Sequence, residues 1–542
     1  MRLFRIVAVM LALLLAAACS PGGGGSETES KIENPDENIN PTGMPIVKEK
    51  TTIKFMTAKK GINLDDWNKV ENMQKMEELS NIHIDWGLVP DDGAAEKVNL
   101  ALASGEYPEV IFRTGLSSVD LAKYGEQGVF IPLNDLIDKY MPNLKALLEE
   151  NPELRQGMTF PDGNIYGMPT IYDPEFESLT MQQKLWVRKD WLEKFGMEIP
   201  TTIEEYEKYL EAVKTKDPNG NGKADEIPAS DGSEGGLLYQ MLRSTFEVAN
   251  RGTSSGLIDA QPDDPSKVRF YPTSDGYREL MEYMNRLYSK GLIQKDVFTN
   301  DAEKFNSVGS EGVYGSVSAQ APIAYFGKEV GKNYVAVPPL KKTEDSPVPV
   351  WNAAGASLRG MGQMVITDKA EHPIETARWM DYFYGDEGTK LWFMGIEGKS
   401  YEEVDGGYEF TEEITDNPEG LTVDEALRPY VVYLGGSYPG IVRQAYFKGT
   451  ENSDQAVTGT KKVSDQVIEE IWPAFTYASE EASEFESIAT DVDKFTEESR
   501  SGFISGKKPL SEWDSYVSQY DQMGIDRYLE IQQAAYDRYQ QR

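Results

Sequence analysis

From Thr52 onward, segments with the two-residue period of strands alternate with segments that have the period of helices, and this alternation constrains the fold more than any other feature. Thr52 to Met56 reads as a strand, Leu64 to Leu79 as a helix and Ile82 to Pro90 as a second strand. Helical spacing returns over Ala94 to Ala103, and Glu109 to Phe112 is a short strand. Strands separated by helices pair in parallel through crossovers, so an α/β sheet covered on both faces is expected. Ligands of such sheets sit beyond the carboxyl ends of the strands, which places Ala58 to Lys60 and Arg113 to Gly115 at the edge of a cleft.

A second unit begins near Ile171, after the turn-rich stretch Phe160 to Pro169. Lys184 to Trp191 reads as a strand entering a helix, and the helix Thr202 to Lys214 opens with Thr202 and Glu205 at the spacing of a capping box. Gly312 to Ser318 and Tyr334 to Pro338 look like strands again, so the chain is expected to return to the first lobe before re-entering the second. The expected division is 51–168 plus about 308–365 for the first lobe and 169–307 plus about 366–542 for the second.

The N-terminus carries Arg2 and Arg5 followed by the apolar run Ile6 to Leu15, too short to span a bilayer, which reads as a secretory signal over residues 1–18. It runs through Ala16-Ala17-Ala18 into Cys19, which resembles the lipobox of bacterial lipoproteins, where the cysteine is acylated and anchors the chain to the outer leaflet. Residues 19–50 are rich in Gly, Pro, Asn and Glu and are expected to be a flexible tether. Cys19 is the one cysteine and there are two histidines, so an intrachain disulfide is excluded and zinc or histidine-based acid/base chemistry is poorly supplied. The formal charge of −36 argues against nucleic acid or an anionic membrane surface as a partner.

The sharpest local motif is Asp217-Pro-Asn-Gly-Asn-Gly-Lys-Ala-Asp-Glu-Ile-Pro228. Oxygen side chains at Asp217, Asn219 and Asn221, a bend-permitting Gly222 and the Lys223 carbonyl follow the calcium loop of the EF-hand type. Position twelve is Pro228 instead of a glutamate, so Asp225 and Glu226 have to close the site. With all its donors on one loop, the calcium is expected to be structural.

A nucleophile-elbow pattern occurs at Gly252-Thr-Ser-Ser-Gly256, but its flanks do not read as strand and helix, and only His83 and His372 could act as base. No carboxylate pair stands out as a glycosidase dyad. Nine Trp and 29 Tyr supply flat apolar faces suited to the C–H faces of sugar rings. Trp86, Trp186 and Trp351, beside strands and turns, and Tyr172 and Tyr438 are the aromatic candidates for a cleft. Arg113, Arg188 and Arg359 are the candidates for forked hydrogen bonds to hydroxyls or a uronate carboxylate.

Val98 to Pro108, Leu185 to Gly196 with Pro200 to Glu204, the loop ending Asp225-Glu-Ile-Pro228, Gly395 to Tyr401 with Asp405-Gly406, and Glu512 to Tyr516 before the helix Ala534 to Tyr539 are shared features. In these the chain resembles family 1 of the extracellular solute-binding proteins of bacterial ABC importers, in the large lipoprotein branch of Gram-positive bacteria that is similar to alginate-oligosaccharide binders. The resemblance implies two α/β lobes joined by crossing hinge segments, a monomer anchored outside the cell, an oligosaccharide ligand and a permease partner. It also implies calcium at Asp217, Asn219, Asn221, Lys223, Asp225 and Glu226. Other readings are a surface-anchored glycosidase or lyase and a carbohydrate adhesin without a permease.

Overall fold

The computed structural model of the chain describes residues 30–433 and 435–541, so the signal segment and Cys19 lie outside the described residues. In chain order the strands are β1 (Thr51–Lys59), β2 (Ile82–Pro90), β3 (Val110–Leu116), β4 (Met168–Tyr172), β5 (Lys184–Arg188), β6 (Ile227–Asp231), β7 (Ile258–Ala260) and β8 (Val268–Phe270). They continue as β9 (Tyr314–Ala319), β10 (Tyr334–Ala336), β11 (Leu358–Ile366), β12 (Tyr401–Val404), β13 (Gly407–Phe410) and β14 (Gly440–Val442). One six-stranded sheet has the order β14-β4-β11-β3-β1-β2 and one four-stranded sheet the order β10-β5-β9-β6. The pairs β7-β8 and β12-β13 are separate hairpins.

The opening βαβαβ segment forms as expected. β1 pairs in parallel with both β2 and β3, and the helices Glu71–Ser80 and Ala94–Ser104 make the crossovers. Alternate residues of β1 point into the core, with Ile53 and Phe55 buried. The helix Ile203–Thr215 begins with the expected box, Thr202 accepting from the Glu205 N–H while the Glu205 carboxylate accepts from the Thr202 N–H.

The expected return to the first lobe near residue 308 does not occur there. β9 and β10 pair with β5 in the four-stranded sheet, and the chain re-enters the six-stranded sheet only at β11. Short buried strands of one composition fit either sheet, and only the pairing partner distinguishes them. Residues from 366 to 442 also stay with the larger sheet. The helices Pro373–Asp381 and Asp386–Met394 pack on it through Trp379 against Phe55 at 5.6 Å and Trp392 against Phe112 at 6.2 Å. Beyond residue 478, the helices Ser479–Ser505, Trp513–Met523 and Ile525–Gln540 pack on the other unit, with Tyr520 4.8 Å from Phe270 and Gln533 accepting from the Val268 N–H.

Within the expected tether 19–50, the described residues 30–50 include docked segments. Ile32, Ile46 and Val47 are buried, Ile39 bridges Val47, and Arg378 donates to the carbonyls of Asn40 and Gly43. A few isolated apolar residues in a polar stretch suffice to dock it when a neighbouring arginine satisfies its carbonyls. Among the described residues, no helix is long and apolar enough to cross a membrane.

Candidate functional site

Strand directions bring one edge of each sheet together. β11 runs antiparallel to β3 and β4, with Gly362 opposite Leu116 and Leu358 opposite Ile171, so the start of β11 and the end of β4 lie at the edge formed by the carboxyl ends of β1 and β3. Lys60, Arg113, Tyr172 and Arg359 therefore share that edge, the position at which α/β sheets bind ligands. In the smaller sheet Lys184 opposes Ala319, which puts Gln182, Gln183 and Gln320 together at one edge. Three segments cross between the sheets: β4 to β5, β10 to β11, and β14 onward to the helix Asp454–Thr460.

At the seam, Arg359 lies across Tyr172 with its guanidinium carbon 5.4 Å from the ring centroid, and its Nη1 reaches Ser254 Oγ at 3.4 Å. Arg359 Nε is buried with no hydrogen-bond partner. Burial pulls the Arg359 pKa below the ordinary arginine value and pushes the Tyr172 phenol up. Arg113 has φ of 53°, a left-handed conformation unusual for a residue with a side chain in a strand. This turns its guanidinium onto the face of Tyr433 at 3.5 Å, with Nε donating to the Ser437 carbonyl at 2.9 Å. Lys60 lies 5.2 Å from the same ring.

The other five candidates do not face the seam. Trp86 sits in an aromatic cluster with Trp67 at 5.0 Å and Phe55 at 5.2 Å. Trp186 is buried beneath the smaller sheet and donates to the Ala319 carbonyl. Arg188 makes a two-pronged pair with Asp190 at 2.8 and 2.6 Å. Trp351 is buried in a crossing segment where it bridges Val467. Tyr438 is buried against Trp392, stacked at 4.7 Å, and donates to the Ile441 carbonyl. In a sheet covered on both faces, a strand-borne aromatic is absorbed by the covering helices.

Residues that sequence reasoning missed complete the seam. Glu451 accepts from Gln320 Nε2 at 3.1 Å and from Gln182 Nε2 at 3.4 Å, and Tyr325 donates to Gln320 Oε1 at 2.8 Å. Burial raises the Glu451 pKa, and the attraction of Lys184 opposes that shift. Lys184 itself is fully buried, donates to the Met181 carbonyl and Thr460 Oγ1 at 3.0 Å each, and is pulled down by burial to about 7. Gln182-Gln183 directly before a strand and Gln320 directly after one were the available signal, since polar residues at strand ends point to a ligand edge.

The Gly252 to Gly256 motif is a turn. Ser254 Oγ accepts from the Ala356 N–H at 3.1 Å, while His83 and His372 pair with Glu77 and Glu375. The turn joins the β7 side of the smaller unit to a crossing segment, where Thr253 N–H donates to the Ala354 carbonyl at 2.9 Å.

The loop 217–226 folds inward on its own oxygens. Asp217 Oδ1 accepts from the Gly220 and Asn221 N–H groups, and Asp217 Oδ2 from Gly222 at 2.8 Å. Asn219 and Asn221 both donate to Asp225 at 3.0 to 3.1 Å, which gathers both amides and that carboxylate. Glu226 accepts from the Asn219 N–H at 3.4 Å. Gly220 and Gly222, at φ of 74° and 76°, make the bends. Among the described residues no three His, Cys, Asp or Glu side chains are grouped as metal ligands; the gathered donors here include two amides. Donors that are all oxygens suit calcium and do not suit zinc.

Residues 72–399 match the family model of bacterial extracellular solute-binding proteins. The chain is 32% identical over 530 residues, 95% of each chain, to the fructooligosaccharide ABC transporter substrate-binding protein FusA of Streptococcus pneumoniae serotype 4. It superposes on the structure of S. pneumoniae FusA in complex with kestose with a TM-score of 0.71 at 29% identity, covering 90% of this chain and 99% of that one. An EF-hand mutant of FusA in complex with fructo-nystose gives a TM-score of 0.71 at 28% identity with the same coverage.

Proposed function

We propose, from the premise that this chain belongs to the bacterial extracellular solute-binding proteins, that it captures an oligosaccharide in the seam between its two lobes and delivers it to an ABC importer permease. One observation supports this most: Tyr172 and Arg359 from one sheet edge, Gln182 and Gln320 from the other, and Glu451 from a crossing meet at one place. A ligand touching both edges binds the closed form better than the open one and shifts the population toward it. The permease then reads closure. Sheet membership supports a division into a first lobe of about residues 51–172 plus 358–442 and a second of about 184–336 carrying the C-terminal helices.

Calcium at Asp217, Asn219, Asn221, the Lys223 carbonyl, Asp225 and Glu226 is a structural ion in this reading. It would tie the loop that follows the helix Ile203–Thr215 to the start of β6. The relative described as an EF-hand mutant supports such a loop in the family. Acylation at Cys19, a monomeric state and a location on the outer face of a Gram-positive membrane complete the proposal.

The test is incubation of the purified protein with a panel of oligosaccharides. A binding protein gains melting temperature and returns the sugar intact; a glycosidase or lyase shortens it. An adhesin prefers polymer and shows no compaction in solution scattering on adding a short sugar.

A further inference from the structure

We propose that Lys184 is a positioning residue for the captured sugar: from beneath the seam it holds the charge of Glu451, so that oligosaccharide binding is coupled to uptake of a proton. This rests on the oligosaccharide-binding reading. Lys184 is fully buried at the start of β5. Its Nζ donates to two neutral acceptors, the Met181 carbonyl of the first crossing and Thr460 Oγ1 of the third, at 3.0 Å each. Among the described residues it makes no ion pair, and Glu451 is the one carboxylate whose attraction acts on it. The relation is mutual: burial raises the Glu451 pKa, and Lys184 is the one cation that opposes the rise. Burying an ammonium among neutral partners is costly, and that cost is offset where the charge steadies a carboxylate at the seam.

A sugar hydroxyl that donates to Glu451 favours its ionised form, and closure of the lobes strips water from the carboxylate. Both changes strengthen its attraction for Lys184, which is already out of water and bears no further desolvation on closure. In the free protein burial pulls the Lys184 pKa down to about 7. Below that value the ammonium is present before and after binding, and no proton moves. Above it the free amine is neutral, so binding draws a proton from the buffer onto Nζ, and affinity falls as pH rises toward the higher bound-state pKa. Among the described residues no other group facing the pair titrates in this range. Burial pushes the phenols of Tyr172 and Tyr325 up, the latter to about 12, and Arg359 beyond Tyr172 stays a cation. Glu177, Lys328, Glu329, Asp454 and Lys461, on or beside the helices around the pair, are exposed.

Kestose, maltotriose, xylotriose and trigalacturonate, none of which titrates near about pH 8, are bound to the purified protein by calorimetry at that pH in buffers of different ionisation enthalpy. The wild type takes up a fraction of a proton per sugar bound, and its dissociation constant rises about threefold or more from about pH 7 to about pH 9. Lys184→Met takes up none, has a flat profile and meets the wild type at the alkaline end, whereas a structural role alone would shift affinity equally at every pH. Should Lys184→Met fail to fold, proton uptake by the wild type and its loss in Glu451→Gln still decide. Without sugar, urea unfolding of the two single variants and the double variant gives an interaction between the positions that fades from about pH 7 to about pH 9. Equal proton uptake in wild type and variants, or an interaction that does not change with pH, overturns the coupling and leaves the oligosaccharide reading standing. Silence toward every sugar while that interaction persists removes the reading itself, and with it the role of Lys184 in capture.

Discussion

Gln320, one residue past the end of β9, donates to the Glu451 carboxylate at 3.1 Å across the seam between the smaller sheet and the third crossing segment. Gln182 approaches the same oxygen from the first crossing at 3.4 Å, and in the proposed reading Glu451 Oε2 accepts from a ligand hydroxyl. Glu451→Gln keeps the shape and removes the charged acceptor. Its effect on the dissociation constant of the bound sugar is a rise of about tenfold, the scale of a hydrogen bond to a charged group, with little change in ligand-free stability. Unchanged affinity in isothermal titration would take Glu451 out of the site.

Lys184 gives the protein a pH-dependent weakness. Burial favours its neutral form in the folded chain, with the pKa pulled from 10.5 to about 7, while the unfolded lysine keeps its ordinary value. Between those two values the unfolded chain binds more protons, so the stability contribution rises with pH from about 7 to about 10 and is flat below. Glu451 attracts the ammonium and opposes the shift without reversing it. Lys184→Met removes the desolvation cost, which is on the order of a few kcal/mol at neutral pH. Urea unfolding at about pH 7 and about pH 9 should show the variant's stability advantage shrinking as pH rises. Parallel behaviour of the two proteins would refute this assignment.

If the acidic loop holds calcium as proposed, the protein's stability should respond to the ion. Asn219 and Asn221 donate to Asp225, Glu226 accepts from the Asn219 N–H, and Asp217 accepts from the N–H groups of Gly220, Asn221 and Gly222, so one loop gathers these oxygen-bearing side chains. An ion that binds the folded loop alone adds about 2.7 kcal/mol at a hundredfold excess over its dissociation constant. A chelator should therefore lower the melting temperature, added calcium should restore it, and Asp225→Ala should melt at the chelated value in either condition. A melting curve indifferent to chelator contradicts the site.

The βαβ alternation, the Thr202–Glu205 box and the strand that opens at Lys184 were legible because each depends on neighbours in sequence. Which sheet β9 joins was not, since Ser316 opposes Val187 and Ala229 from distant parts of the chain. The same distinction sorts the candidate site. Tyr172 and Arg359 lie at strand ends, where the edge rule applies, and reach the seam, as does Arg113, which the left-handed backbone in β3 turns toward Tyr433. Trp86, Trp186 and Trp351 were chosen for surface type, and three-dimensional cover decided against them: Trp379 closes over Trp86, and the Nε1 of Trp186 is held by Ala319. Glu451 was hidden because the short turn Thr450–Asn452 has no periodicity to mark it.

Gly252 holds the contact between the smaller unit and the second crossing segment, and its cost of substitution separates sterics from backbone strain. Its φ is 90°, and an added Cβ would lie 2.5 Å from the Ala354 carbonyl oxygen and 2.9 Å from Ile471 Cγ2. Gly256, four residues on, has a φ of 67° with nothing within 4 Å of such a Cβ. Gly256→Ala therefore pays for the left-handed backbone alone, about 1 kcal/mol. Gly252→Ala adds a clash with main chain that cannot rotate away and should lose about 2–4 kcal/mol, seen as a lower denaturant midpoint at unchanged m-value. Because Thr253 N–H donates to that same Ala354 carbonyl at 2.9 Å, the displaced crossing segment should also weaken ligand binding in Gly252→Ala and leave it intact in Gly256→Ala. Equal losses in the two variants would show that the turn does not brace the hinge.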